Sequence, residues 1–319
     1  MRNLIEEPVK TLFLGTDWES EATLYALHHD PRFNIVGVIT TIDKPIGRKQ
    51  TLTPSKVKQY ALNNGLEVFH TEKQVEKYQE ALDKFEPELI VCKAFGEILP
   101  DFFIQFPKYK SINIHFSILP KYRGAVPIQK AILEGERETG ITIMLMADGM
   151  DEGDILKIFK EPILKDDTNL SLRERLVKIS AKVLGDTLEE WINGKIESTK
   201  QDNSKATYCW QKDISKENAE IKWEEMDPVY IERLIRAMIP WPVAWCILEG
   251  KRIQIFNATL LDVKNTHEPG TLFIEDSKLL FATKGENICL EVIELQIEGK
   301  EKMSSKEFIN GIGRKLSTR

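Results

Sequence analysis

Asn113, His115 and Asp151 carry the side-chain chemistry needed to move a carbonyl group. An amide can donate to a developing oxyanion, an imidazole titrates near neutral pH, and a carboxylate accepts a proton. Asn113 and His115 end an apolar run and alternate with Ile112 and Ile114. Side chains two apart in a strand share a face, so Asn113 and His115 project together. The alternation leaves a second interpretation open, a hydrogen-bonded polar pair at the edge of a loop.

Two loops that contain glycine accompany these residues. Prolines and a glycine restrict Ser117–Pro127, which predicts either a rigid wall for a flat ligand or a plain strand-to-helix connection. The second loop carries Asp148, Asp151 and Asp154. This spacing resembles a hard-cation site, but the longer loop and closing Glu of an EF-hand are missing. A carboxylate acting with a histidine and a solvated acidic turn are the other interpretations, and we expect no metal.

The first half of the chain alternates short apolar runs with helical patterns. The predicted strands are Thr11–Gly15, Asn34–Ile39, Glu67–Phe69, Leu89–Phe95, Ser111–Phe116 and Ile141–Met146, and the predicted helices are Ser20–His28, Ser55–Asn64, Gln74–Phe85 and Val126–Glu134. This alternation predicts a doubly wound, mostly parallel α/β sheet. Sheets of this kind bind ligands at strand ends, where the candidate chemistry lies.

The second half of the chain has a different texture. An amphipathic helix is predicted over Ser171–Ile192, and the polar segment Lys195–Ala206 after it predicts a linker. One further helix and several short strands follow, which indicate a small β-barrel or sandwich. These elements are Val229–Met238 for the helix and Ala244–Leu248, Ile253–Leu260, Leu279–Ala282 and Ile288–Leu295 for the strands.

Composition excludes several classes of protein. With 319 residues, 42% of them hydrophobic, the chain can build two domains with real cores. A net charge of −6 gives no bulk attraction to nucleic acid, so such contact needs a local basic patch. The N-terminus does not resemble a signal peptide, and no apolar stretch approaches the ~20 residues of a membrane span. We therefore expect a cytoplasmic protein with no membrane partner.

The cysteines and the glycines narrow the chemistry further. Cys92, Cys209, Cys246 and Cys289 form no CxxC pair, so reduced buried thiols are expected rather than a metal site or disulfides. The segment Gly15-Thr16-Asp17 is not a dinucleotide fingerprint, and no Walker lysine motif is present.

Two short segments offer weak signals for nucleic acid. The basic loop Lys44–Gln50 predicts either a phosphate contact or a solvated surface loop. The pair of indoles in Trp241–Trp245 favours core or domain packing over a platform for base stacking.

Taken together, the loops resemble the folate-dependent formyltransferase family. The resemblance rests on Asn113–Pro120, Tyr122–Ala125, Pro127-Ile128, Thr139–Thr142 and Asp151–Ile155. Further segments resemble the members of this family that act on charged tRNA. They are Asp43–Lys49, Leu52–Ser55, Ala206–Tyr208, Ile214–Glu217, Pro240–Pro242, Gly299-Lys300, Met303-Ser304 and Phe308–Gly311. The match extends over nearly the whole chain, and its catalytic signature is specific for formyl transfer.

The resemblance implies a fold, substrates and site residues. The expected fold is a Rossmann-like domain at 1–192, a linker at 193–206, and a smaller tRNA-binding β-barrel (OB-like) domain at 207–319. The expected donor is 10-formyltetrahydrofolate, and the acceptor is the amino group of methionine on initiator tRNA, for translation initiation. The implied catalytic residues are Asn113, His115 and Asp151, the folate-binding residues Phe95, Gly96, Ile98, Leu99, Ser117, Ile118, Leu119 and Pro120, and the tRNA-binding residues Arg48 and Lys49.

We expect the protein to be a monomer. Two other functions stay open at this point, and a third, a generic nucleotide-binding α/β protein, is disfavoured by the missing glycine fingerprint. A formyltransferase for an amino-sugar nucleotide or another small amine would share Asn113, His115 and Asp151 but lack the basic loop and the C-terminal domain. A catalytically silent tRNA- or folate-binding module would belong to another class, and the intact set of three residues argues against it.

Overall fold

The computed structural model describes residues 7–46, 50–285 and 287–313. Its contacts divide the described chain into two units. The first comprises the chain up to Arg123 together with Thr139–Glu161 and Glu174–Tyr208. The second comprises Gly124–Glu138, Pro162–Arg173 and the chain from Cys209 onward.

A seven-stranded sheet forms the centre of the first unit, in the order β10-β9-β7-β6-β1-β2-β5. Its strands are β1 Val9–Gly15, β2 Phe33–Ile39, β5 Val68–Phe69, β6 Leu89–Lys93, β7 Ser111–His115, β9 Glu138–Leu145 and β10 Ile155–Pro162. The pairs from β5 through β7 are parallel, whereas β9 runs antiparallel to β7. The predicted doubly wound, mostly parallel sheet is thus confirmed.

Helices cover both faces of the parallel strands. They are α1 Trp18–His28, α2 Lys56–Asn63, α3 Val75–Phe85 and α4 Asp101–Gln105. Leu12 and Leu14 of β1 are buried in one core with the apolar faces of α3 and α4. Because side chains alternate along a strand, the opposite face of β1 and β2 meets α1 and α2. Asp17 and Ser55 cap α1 and α2 with side-chain oxygens, which fixes where these helices begin.

Shorter elements complete the chain between these strands. A hairpin pairs β3 Lys44–Ile46 with β4 Thr51–Thr53. The others are β8 Arg123–Gly124, which pairs with β11 Tyr208–Cys209, helix α5 Pro127–Glu134 and the long helix α6 Asn169–Ile192.

The second unit contains an antiparallel sheet in the order β12-β13-β16-β15-β14, with β17 added to β16. Its elements are α7 Pro228–Ala237, β12 Ala244–Leu248, β13 Lys251–Asp262, β14 Leu272–Glu275, β15 Lys278–Ala282, β16 Ile288–Ile297, β17 Lys302–Ser304 and α8 Ser305–Phe308. Register shifts between Ile255 and Ala258 bend the long β13. The predicted C-terminal β domain is confirmed as an antiparallel sheet, and its closure into a barrel stays a prediction.

Among the helices of the described residues, none combines the length and the apolar character that a bilayer span requires.

Candidate active site

Asn113 and His115 lie on β7, between the parallel strand β6 and the antiparallel strand β9. Ile112 and Ile114, which alternate with them, are buried in the sheet. Asn113 is opposite Met144 of β9 in the register. The two polar side chains therefore share one face of the central sheet, as the alternation predicts.

The loop between β9 and β10 brings Asp151 to these two side chains. Asn113 Nδ2 donates to Asp151 Oδ1 at 3.2 Å, and His115 Nδ1 lies 3.5 Å from Asp151 Oδ2. The His115 and Asp151 side chains are only 7% and 15% exposed. An amide and an imidazole thus converge on the two oxygens of one carboxylate, in a site largely shielded from water.

A backbone carbonyl fixes the tautomer of His115. His115 Nε2 lies 2.8 Å from the carbonyl oxygen of Tyr122. A carbonyl can only accept, so Nε2 carries the proton in both charge states of the ring. In the neutral ring, Nδ1 is therefore the unprotonated nitrogen, and it faces the side on which Asp151 lies.

The surroundings favour the neutral form of His115. Burial lowers the pKa of His115 below its ordinary value of 6.5. The Asp151 carboxylate and the Tyr122 carbonyl act in the opposite direction, and the nearby Lys93 cation lowers the pKa further. At pH 7 the ring is consequently an acceptor at Nδ1 rather than a donor.

Lys93 is a buried cation at the end of β6 that our sequence analysis did not select. Its Nζ donates to the carbonyl oxygen of Ile114 at 3.2 Å and pairs with Glu19 at 3.3 Å. The ammonium also lies 3.2 Å from the centroid of the Phe116 ring. Lys93 and Glu19 are 6% and 3% exposed, so the charges need each other. A lysine in the apolar run Leu89–Phe95 was the available signal.

Thr142 of β9 holds the loop that follows β7. Its hydroxyl donates to the carbonyl oxygen of Ser117 at 2.6 Å and accepts from the amide of Leu119 at 3.2 Å. Ser117 Oγ donates to the Lys121 carbonyl oxygen at 2.6 Å. The predicted ligand-binding loop Ser117–Pro120 therefore has a fixed conformation beside His115, while its contact with folate stays a prediction.

The other predicted folate residues follow β6 and divide into two kinds. Phe95 and Leu99 are buried in the core of the first unit, so their side chains serve packing. Gly96 has a positive φ of 84° and open space where a Cβ would be, and Ile98 is 96% exposed. Of these four predicted residues, Gly96 and Ile98 are the two with exposed surface for a ligand.

The acidic loop does not gather its carboxylates. Asp154 accepts from Ser198 Oγ at 3.2 Å, and a hydrogen bond with Asp101 raises the pKa of Asp148. Asp151 instead faces Asn113. Within residues 7–46, 50–285 and 287–313, no three His, Cys, Asp or Glu side chains cluster so that they could hold a metal ion.

The four cysteines are buried and carry reduced thiols. Burial raises the pKa of the Cys92 thiol to about 12. Because a thiolate is the reactive form, Cys92 is not a nucleophile at neutral pH.

The two predicted tRNA-binding residues, Arg48 and Lys49, lie outside the described residues. In the second unit, Trp241 and Trp245 line a pocket of about 330 Å³ together with Lys216 and Arg252. The Arg252 guanidinium lies 4.2 Å from the centroid of the Trp245 ring. Trp241 is 51% exposed, so this indole does not lie in a core, and its part in domain packing stays a prediction.

Comparison with known proteins identifies the family of the chain. The formyl transferase model matches residues 9–188, and the model of the formyl transferase C-terminal domain matches residues 213–313. Among solved structures, the N-formyltransferase from Helicobacter canadensis, in complex with folinic acid and dTDP-3-aminofucose, has a TM-score of 0.67. It is 21% identical and covers 89% of this chain and 98% of that chain, which supports the fold.

Curated relatives are more similar in sequence. The methionyl-tRNA formyltransferase of Halalkalibacterium halodurans is 41% identical over 97% of this chain and 96% of its own length. That of Caldicellulosiruptor saccharolyticus is 41% identical over 94% of this chain and 96% of its own length. With two formyltransferase domains and relatives of this identity over nearly its full length, the chain belongs to the methionyl-tRNA formyltransferase family.

Proposed function

We propose that this protein transfers the formyl group of 10-formyltetrahydrofolate to the amino group of methionine on initiator tRNA. The convergence of Asn113 and His115 on the carboxylate of Asp151 carries the proposal. These groups provide an oxyanion donor and proton acceptors for an amine that attacks a carbonyl carbon. Relatives about 40% identical favour a charged tRNA as the acceptor.

The three residues divide the work according to their hydrogen bonds. Asn113 donates an amide N–H to the formyl oxygen as negative charge develops on it. As the bond between the amine nitrogen and the formyl carbon forms, Asp151 or the neutral Nδ1 of His115 accepts the one proton that the amine loses. The bond between the formyl carbon and N10 of the donor then breaks, and the proton returns to N10, so that tetrahydrofolate leaves as a neutral amine. His115 Nε2 stays bound to Tyr122, so His115 donates to the formyl oxygen only when Nδ1 is also protonated.

The donor supplies the formyl group, and residues beside the site fit a flat ring. Gly96 leaves open space where a side chain would stand, and Ile98 offers an exposed apolar side chain. The loop Ser117–Pro120 is held by Thr142 and needs little ordering on binding. We therefore retain these residues as the folate site, with Phe95 and Leu99 supporting it from the core.

The proposed catalytic domain is 1–192. The tRNA is proposed to contact Arg48 and Lys49 and the domain at 207–319. The net charge of −6 makes local basic groups necessary for this contact. Lys216 and Arg252, beside two indoles, form such a group in the second unit. We further propose that the protein acts as a monomer in the cytoplasm.

Formylation of methionine on initiator tRNA, compared with methionine on elongator tRNA, tests the function. The purified chain is supplied with 10-formyltetrahydrofolate and each charged tRNA, and N-formylmethionine is measured. An amino-sugar nucleotide is assayed in parallel as the competing acceptor. We expect transfer to the initiator tRNA only.

Each other outcome points elsewhere. Transfer to the amino sugar without transfer to tRNA would establish the small-amine formyltransferase instead. Binding of folate or tRNA without any transfer in a single turnover would indicate a silent binding module.

A further inference from the structure

The polar segment 193–206 reaches back to the loop that carries Asp151. Thr199 and Ile155 exchange two backbone hydrogen bonds of 2.8 Å, which places the segment beside the start of β10. Two residues further on, Gln201 Nε2 donates to the carbonyl oxygens of both Asp151 and Gly153, at 2.8 Å each. One side-chain amide therefore binds the turn on both sides of Glu152.

The turn around Asp151 has an unusual backbone. Asp151 has a φ of 52°, in the left-handed region that side chains other than glycine rarely adopt. A Cβ on Gly153 would meet the Leu145 carbonyl oxygen at 1.8 Å, so the turn is packed closely against the end of β9. A conformation of this kind persists only when its surroundings hold it.

Arg123 determines which way the Gln201 amide points. The Nε and Nη2 atoms of Arg123 donate to Gln201 Oε1 at 3.1 and 2.8 Å. A guanidinium has only donors, so the amide oxygen must face Arg123 and the amide nitrogen must face the turn. Arg123 is itself 1% exposed and also donates to Asn203 Oδ1 at 2.7 Å. It pairs with Glu152 in the turn at 3.3 Å.

We propose that Gln201, oriented by Arg123, is a positioning residue for Asp151. The two carbonyls that it binds flank the turn, and one of them belongs to Asp151 itself. Holding them fixes the backbone from which the carboxylate reaches Asn113 and His115. The inference rests on the proposed formyl transfer and adds a requirement to it, namely that segment 193–206 completes the catalytic geometry.

Gln201→Glu separates positioning from stability. The carboxylate keeps the shape of the side chain and strengthens the pair with Arg123, but an oxygen replaces the nitrogen that donates to the two carbonyls. Since misplacement of a catalytic group by about 1 Å costs roughly 10²-fold in rate, we expect kcat to fall by roughly 10- to 10²-fold. The KM values for folate and tRNA and the melting temperature should stay near those of the unchanged chain.

Asn203→Asp is the matched control. It also places a carboxylate against Arg123, yet Asn203 accepts from Arg123 without bonding to the carbonyls of Asp151 and Gly153. We expect its kcat to be unchanged. If Gln201→Glu does not fold, Gln201→Met, which has a similar length and no donor, is measured in the same way.

Two outcomes would overturn the inference. A kcat for the Gln201 variant within twofold of the unchanged chain would show that the turn at Asp151–Gly153 keeps its conformation without the hydrogen bonds from Gln201. An equal loss of kcat in Asn203→Asp, with a lower melting temperature in both, would reduce Gln201 to a structural role. The unchanged chain is assayed in the same experiment, and its failure to transfer a formyl group would refute the proposed function instead.

Discussion

Replacing Asn113 with alanine removes one donor from the centre of the proposed site. In the resting structure the amide donates to Asp151 Oδ1 at 3.2 Å. In the proposed reaction it donates to the oxygen of the formyl group as negative charge develops there. Asn113→Ala therefore tests a contact that becomes important only in the transition state.

Asn113→Ala loses two contacts, one with Asp151 in the resting structure and one with the formyl oxygen in the transition state. The expected fall in kcat depends on the free energy that each contact contributes. Removal of one oxyanion donor lowers kcat about 10²–10³-fold, which is about 2.7–4 kcal/mol. The hydrogen bond to Asp151 adds little to this, because it is already made in the resting structure and is not gained in the transition state. We expect a loss of about 10²–10³-fold in kcat.

A single-turnover assay with saturating folate and charged initiator tRNA measures the chemical step, and equilibrium titration measures folate affinity. Asn64→Ala is the control, since Asn64 is exposed and its side-chain amide donates to the Tyr60 carbonyl at the end of α2. It should leave the rate unchanged. A loss smaller than fivefold for Asn113→Ala would refute the assigned role. So would a loss of folate affinity as large as the loss of rate.

Three further predictions address charge, tRNA and metal. Lys93→Met combined with Glu19→Gln removes the buried cation that lowers the pKa of His115. The proposed mechanism needs the neutral ring of His115, so the acid limb of the kcat–pH profile should lie below pH 6.5 in the unchanged chain. In the double variant this limb should move to higher pH, and an unmoved limb would contradict the role of His115 as proton acceptor. Arg48→Ala should raise KM for tRNA but not for folate, and lower the slope of log affinity against log salt by about 0.9; an unchanged slope would exclude a phosphate contact. EDTA should leave the rate of formyl transfer unchanged. A loss of activity in EDTA would indicate a metal ion in the acidic loop.

Local sequence patterns predicted the residues on β7 well. Strict alternation placed Asn113 and His115 on one face, since the alternation of side chains along a strand is a local property of the extended backbone. The same holds for the helices, whose apolar spacing and polar caps lie within a few residues, as at Ser55 before α2. These features required no knowledge of the tertiary fold.

Contacts between distant residues could not be predicted in this way. The antiparallel pairing of β9 with β7 decides where the next loop lies, and neither strand encodes its neighbour's direction. The contact between Gln201 and the Asp151 carbonyl joins residues 50 positions apart, and Lys93 and Glu19 are ion-paired across two elements. A polar segment such as 193–206 resembles a linker whenever its partners are unknown.

The distribution of buried charge supports the proposal that a neutral amide, that of Asn113, is the oxyanion donor. Lys93 is a buried cation beside β7, but its ammonium is already bound to Glu19 and to the Ile114 carbonyl. It acts on the site through the peptide between Ile114 and His115 and through its positive charge, which lowers the pKa of His115. A neutral His115 leaves Asp151 as the anion nearest the attacking amine, which favours removal of the amine's proton. Removal of the Lys93 charge should thus change the protonation of His115 more than it changes the affinity for folate or tRNA.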